Sequence, residues 1–174
     1  MSLSRARDFL RSLRRHGSDK PTGFLWVEPG RLAASAYPAS KRQVKWLAKQ
    51  GINAILTLTE APLPAEWVQG STINLEHVPM KGAHQPIELE SLRKAVSIVQ
   101  AQVNDGRKVL VHCHYGQGRT MTVLASYFVM ERKISPQEAI QALRAMRPGA
   151  VEKWQEKAVF DYAETTKQNT PEQN

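Results

Sequence analysis

Residues 111 to 120 read VHCHYGQGRT and hold the chain's single cysteine, two glycines and an arginine. A cysteine after an apolar strand is most often a small buried hydrophobe, but the neighbours of Cys113 argue for chemistry. Gly116 and Gly118 let the segment from His114 to Gly118 curl, so that consecutive backbone N–H groups of His114, Tyr115, Gly116, Gln117 and Gly118 aim at one anion. Arg119 adds a planar fork that can hold two oxygens of a phosphate, which a lysine cannot do. The nest that binds a phosphate dianion also stabilises a thiolate. Cys113 is therefore read as a nucleophile beneath a bound phosphate, with His112 orienting the strand end and helping to hold the thiolate. A phosphate loop of the nucleotide type is excluded, since it requires Gly-Lys before Ser or Thr. A redox-sensing or arsenate-reducing thiol would need a resolving second cysteine, which the chain lacks.

The elements that must position this stretch follow from pattern. KVLVH is a short apolar strand that delivers Cys113 to its carboxyl end, where ligands gather in α/β sheets and the next helix offers free N–H groups. That helix begins near Arg119, and MTVLASYFVM is apolar around its circumference, which predicts a central buried helix. Upstream, FLWV and GRLAAS read as two strands around Pro29-Gly30. Ser40 and Gln43 form a capping box for a helix through Gln50, and INAILTL and TINLEHV supply two further strands. After the loop PMKGAHQP, Leu92, Val96, Val99 and Val103 recur at helical spacing. Ser135-Pro136-Gln137-Glu138 opens a helix that ends before Pro148-Gly149, and a last helix runs from about Val151 to Thr166. The expected fold class is α/β, a mainly parallel central sheet flanked by helices on both faces. The expected organisation is a basic arm at 1–22, one domain at 23–166 and a disordered tail at 167–174.

The formal charge is +8, and residues 1–20 carry six Arg or Lys against two Asp, so half of the excess lies in that arm. Leu3, Phe9, Leu10 and Leu13 among the arginines would suit an amphipathic contact with an anionic surface, and the Arg and Ser content also fits a transit peptide. A solvated arm is the preferred reading. No run approaches the roughly 20 apolar residues of a membrane span, and one cysteine forms no internal bridge. A monomeric cytoplasmic protein without specific nucleic-acid partners is expected.

HCHYGQGRT matches the His-Cys, five residues, Arg-Thr signature of the cysteine-dependent protein tyrosine phosphatases. FLWVEPGRLAAS, ILTLTEAP, VLASYFVMERKISPQEAIQALRAMRPGAVE and WQEKAVF extend the likeness, so that residues from about Phe24 to Ala163 resemble the small atypical dual-specificity phosphatases. The resemblance implies that Cys113 attacks phosphorus, that Arg119 binds the equatorial oxygens, and that Thr120 donates a hydrogen bond to the departing sulfur. It implies a phosphocysteine intermediate, with no metal and no cofactor, and phosphorylated proteins or peptides as substrates.

Two positions depart from the family. Met80 stands where the general acid aspartate is expected, and Met121 where a glycine usually follows the Arg-Thr pair. Candidates for a replacement acid or a water-positioning group are His84, Glu88 and Glu152. Without an acid the leaving oxygen departs as an anion, which favours a phenol of pKa ≈ 10 over an alkyl alcohol. The reading is a phosphatase for phosphotyrosine, extending to phosphoserine and phosphothreonine. The alternative is a weakly active or inactive phosphate-binding module.

Overall fold

Five short strands form one sheet in the order β1-β2-β5-β3-β4 in the computed structural model, which describes residues 18–82 and 85–168. Residues 1–17 of the expected arm, His84 and the tail from 169 lie outside the described residues. β1 (Leu25–Glu28) runs antiparallel to β2 (Leu32–Ala36). β2, β5 (Val109–Cys113), β3 (Ala54–Thr57) and β4 (Asn74–His77) are mutually parallel. β2, β3 and β5 are buried along their whole length because both faces of the sheet are covered there, while the edge strand β4 (NLEH) is polar and half-buried.

One face carries a single helix, α1 (Lys41–Lys49), whose Val44 and Leu47 pack with Ala33, Ile55 and Leu110. The other carries α2 (Leu89–Asn104), α3 (Arg119–Arg132), α4 (Pro136–Met146) and α5 (Glu156–Gln168) over Leu32, Leu56, Val109 and Val111. Expected helices on both faces are thus found, one against four. α3 is buried from Arg119 through Phe128, as its all-round apolar sequence requires.

The two capping boxes differ. Ser135 and Glu138 make the reciprocal pair at the start of α4. At α1 the Ser40 side chain accepts from the Gln43 N–H, but the Gln43 carboxamide accepts from the Ala39 N–H and donates to the Ser18 carbonyl, tying the chain's entry segment to the helix. The last helix does not start at Val151. Val151 sits at φ 53°, in the left-handed region, and Glu152 is extended, so a 3₁₀ turn (Lys153–Gln155) precedes α5.

Strand alternation decides the site. Successive side chains of a strand point to opposite faces. In β5, Val109, Val111 and Cys113 join the four-helix face, while Leu110 joins the α1 face.

Candidate active site

Cys113 ends β5 with its sulfur accepting a hydrogen bond from the Gly116 N–H at 3.3 Å. It forms the floor of a cleft of about 380 Å³, lined also by Glu60, Gly82, His114, Tyr115, Gln117, Gly118, Arg119, Glu152, Trp154 and Gln155. Glycine is required at Gly116 and fits closely at Gly118. Gly116 has φ +70°, and a Cβ there would stand 2.4 Å from the Ser35 carbonyl oxygen. A Cβ on Gly118 would meet the Gln155 carboxamide oxygen at 2.5 Å.

The loop's amides are aimed by what holds its carbonyls. A trans peptide points its C=O and the following N–H in opposite directions. The His114 carbonyl accepts from the Tyr37 N–H at 3.3 Å, and the Gln117 carbonyl from the Val151 N–H at 3.2 Å. The Gly118 carbonyl accepts from both the N–H and the hydroxyl of Thr122. Each bond turns a carbonyl away from the cleft and the next amide, of Tyr115, Gly118 and Arg119 respectively, the opposite way. A β-branched residue at positive φ costs of order 1–3 kcal/mol. That strain at Val151 sits where its N–H anchors the loop.

Arg119 is nearly buried, and one guanidinium nitrogen, Nη1, makes all of its side-chain bonds among the described residues. It donates to the Met80 carbonyl at 2.8 Å and the Leu58 carbonyl at 3.3 Å, and lies 3.5 Å from Glu60 Oε2. Among the described residues the other guanidinium nitrogens make no hydrogen bond, which leaves them for an anion. A hydrogen bond from Glu60's own N–H, with the charge of Arg119 and the N–H of Gly82, outweighs the opposing effect of burial and holds the Glu60 carboxyl below the ordinary carboxylate range. Glu60 is therefore ionised at neutral pH.

His112 is placed differently from the sequence expectation. By alternation its ring lies on the α1 face, bonded through Nε2 to the Thr57 hydroxyl at 2.9 Å and edge-on to Tyr37. Complete burial pushes its pKa from 6.5 to about 3. The ring is neutral and contributes no charge to a thiolate; it ties β5 to β3 behind the loop.

Met80 presents its backbone to the site and its side chain to the main core cluster, where it is 4% exposed. Met121 is fully buried in the same cluster, so it fills core. Thr120 is fully buried, and its hydroxyl makes no hydrogen bond among the described residues. Of the three candidates for acid or water work, Glu152 lines the cleft. Glu88 does not; it precedes α2, borders an adjoining groove with Pro79 and Ile87, and pairs with Lys81 at 3.5 Å. His84 lies outside the described residues.

Sequence reasoning missed Glu60, Trp154 and Gln155. Glu60 was signalled by LTLTE, a carboxylate just beyond a strand that pairs with the cysteine's own strand. Gln155 had no such signal: its position depends on the Val151 turn, which returns the chain over Gly118. Its carboxamide oxygen is buried without a partner among the described residues. Tyr115 (51% exposed) and Trp154 (37%) put two aromatic rings on the cleft's lining.

A family model described as "PTP-SAK: Swiss Army Knife protein, DSP-PTPase phosphatase domain" matches residues 21–160. The chain is 25% identical over 142 residues to the phosphatidylglycerophosphate phosphatase PTPMT1 of Arabidopsis thaliana, covering 80% of this chain and 42% of that protein. It is 31% identical over 85 residues to the human phosphatidylglycerophosphatase and protein-tyrosine phosphatase 1, covering 49% of this chain and 38% of that one. The chain thus spans less than half the length of either relative. Among solved structures, Tk-PTP in its G95A mutant form superposes with a TM-score of 0.72 at 28% identity, covering 81% of this chain and 95% of that one.

Proposed function

The chain belongs to the DSP-PTPase phosphatase family, and from that premise we propose that it hydrolyses phosphate monoesters through a phosphocysteine, with aryl esters such as phosphotyrosine as its preferred class. The observation that carries this reading is the convergence on one cleft of the Cys113 sulfur, already bonded by the Gly116 N–H, and the Arg119 guanidinium. A module that merely binds phosphate has use for the arginine and the amides but none for the thiol.

In the first step the Cys113 thiolate attacks phosphorus as the P–O bond to the leaving group breaks, and the electron pair leaves on that oxygen. The amides and Arg119 stabilise the charge spread over the equatorial oxygens. In the second step water attacks the phosphocysteine, the P–S bond breaks, and the thiolate is restored with release of inorganic phosphate. The buried Thr120 hydroxyl donates to the departing sulfur. Gln155 and Glu152, on the cleft wall, orient the water and take its proton.

Met80's burial supports departure of the leaving group without the usual acid. Glu60, held ionised against Arg119, has no proton to give at neutral pH. A phenolate of pKa ≈ 10 leaves unaided far more easily than an alkoxide. Tyr115 and Trp154 suit an aromatic leaving group, and two carboxylates in the lining disfavour polyanionic headgroups. The relatives named for phosphatidylglycerophosphate favour a second reading, a lipid phosphate monoester. Turnover of a phosphotyrosine peptide, p-nitrophenyl phosphate and phosphatidylglycerophosphate by the wild-type chain and Cys113→Ser tests both. Aryl turnover well above lipid turnover, lost in Cys113→Ser, is expected. Lipid turnover in excess would select the second reading, and no turnover of any substrate would leave a binding module.

A further inference from the structure

We propose that Arg147 is a positioning residue of the phosphate cradle, fixing the Gln117 amide by holding the Gly116 carbonyl from behind. This rests on the reading of the cleft as a phosphate site. Three of the loop's carbonyls are held by groups already described. The fourth, Gly116, accepts from Arg147 Nη1, while Nη2 of the same guanidinium bonds the Gly23 carbonyl. One planar fork thus joins the cradle to the segment that enters the domain.

The consequence follows from peptide geometry. With the Gly116 carbonyl drawn back to Arg147, the Gln117 N–H of the same peptide unit points the opposite way. Gly116 is where such a restraint is needed. Its φ of +70° lies in a region that glycine leaves as readily as it enters, and no side chain limits the peptide's rotation. A free loop could turn that carbonyl inward, setting a negative dipole against the phosphate in place of a donor.

Arg147 is well placed for the task. It caps the C-terminus of α4, with its N–H on the Leu143 carbonyl at 2.8 Å, so its backbone is fixed by a helix outside the loop. Burial draws its pKa down, and a charge on Cys113 offsets part of that effect. Arginine stays cationic regardless. Lysine would offer one nitrogen in place of the two that the fork gives to the two carbonyls.

The test compares wild type, Arg147→Lys and Arg147→Ala in affinity for inorganic phosphate, in kcat and KM for p-nitrophenyl phosphate, in Tm, and in the backbone amide NMR signal of Gln117 during phosphate titration. Arg147→Ala should lose about 10²-fold in kcat/KM, as misplacement of a binding group does, with weaker phosphate binding and loss of the phosphate-dependent Gln117 shift. Arg147→Lys should recover part of each, and it keeps the test open if the alanine variant does not fold. A folded Arg147→Ala or Arg147→Lys with wild-type phosphate affinity and Gln117 response would overturn the inference, whatever happens to kcat. Wild type that binds no phosphate would instead overturn the phosphatase reading on which the inference stands.

Discussion

Between Cys113 and Arg119 the chain is held from outside at four carbonyls, by Tyr37, Arg147, Val151 and Thr122, while the Cys113 sulfur, bonded by the Gly116 N–H, lines the cleft. The segment from Val78 to Glu88 is built the other way. It gives the cleft only Gly82 among the described residues, gives Arg119 the Met80 carbonyl, and sends the Met80 side chain into the core. The first region is shaped to receive an anion. The second supports the arginine through the Met80 carbonyl and, among the described residues, puts no titratable side chain into the cleft. In the proposed mechanism, anion binding and nucleophilic attack fall to the backbone-anchored parts, and the leaving group departs without a proton from residue 80.

The largest expected effect comes from disturbing the one residue that joins the two regions. Arg119→Lys removes the fork and releases the carbonyls of Met80 and Leu58, so kcat/KM should fall by about 10²–10³, the range for loss of a transition-state donor. Full activity in that variant would mean that the two loops are not coupled through Arg119. Met80→Asp probes the second region from inside. Placing a carboxylate in the core should destabilise the fold by about 2–5 kcal/mol, read in denaturant titration, without speeding alkyl phosphates. A variant of unchanged stability that hydrolyses alkyl phosphates faster would show that residue 80 turns toward the cleft.

His112 adds a pH signature behind the first region. Its folded pKa of about 3 lies below the ordinary 6.5. The unfolded chain therefore binds the proton first, and stability should decline as pH falls from 6.5 toward 3, by up to about 1.4 kcal/mol per pH unit from this group. His112→Gln should flatten that window in thermal melts across pH. If the slopes coincide, the ring is not held neutral in the fold. Glu88→Gln should be the mildest change, within about twofold of wild type in kcat for an exposed residue outside the cleft. Glu152→Gln should slow the second step and leave more phosphocysteine at steady state. Equal effects of the two glutamate variants would erase the distinction between the cleft wall and the loop behind it.

The sequence revealed most of the first region, because Cys113, Gly116, Gly118 and Arg119 are contiguous and their types leave few alternative conformations. The fold was readable for the same local reasons: apolar β-branched strands, the Ser135 capping box and the all-round apolar α3. What escaped notice depended on distant parts of the chain meeting. Glu60 reaches Arg119 only because β3 pairs beside β5, and Gln155 reaches Gly118 only because Val151 adopts a left-handed turn that its type disfavours. Of the two roles read for His112, holding the strand end agrees with its bond to the Thr57 hydroxyl, while a charge beside the thiolate does not fit a neutral ring on the opposite face of the sheet.

The account stands or falls on a covalent bond between Cys113 and phosphorus. Wild-type chain turning over p-nitrophenyl phosphate, quenched rapidly in acid and digested, should yield the peptide containing Cys113 with one added phosphoryl group, and Glu152→Gln should raise its yield. Turnover that persists with no phosphoryl group on Cys113, or with the group on another residue, would contradict the mechanism at its first step.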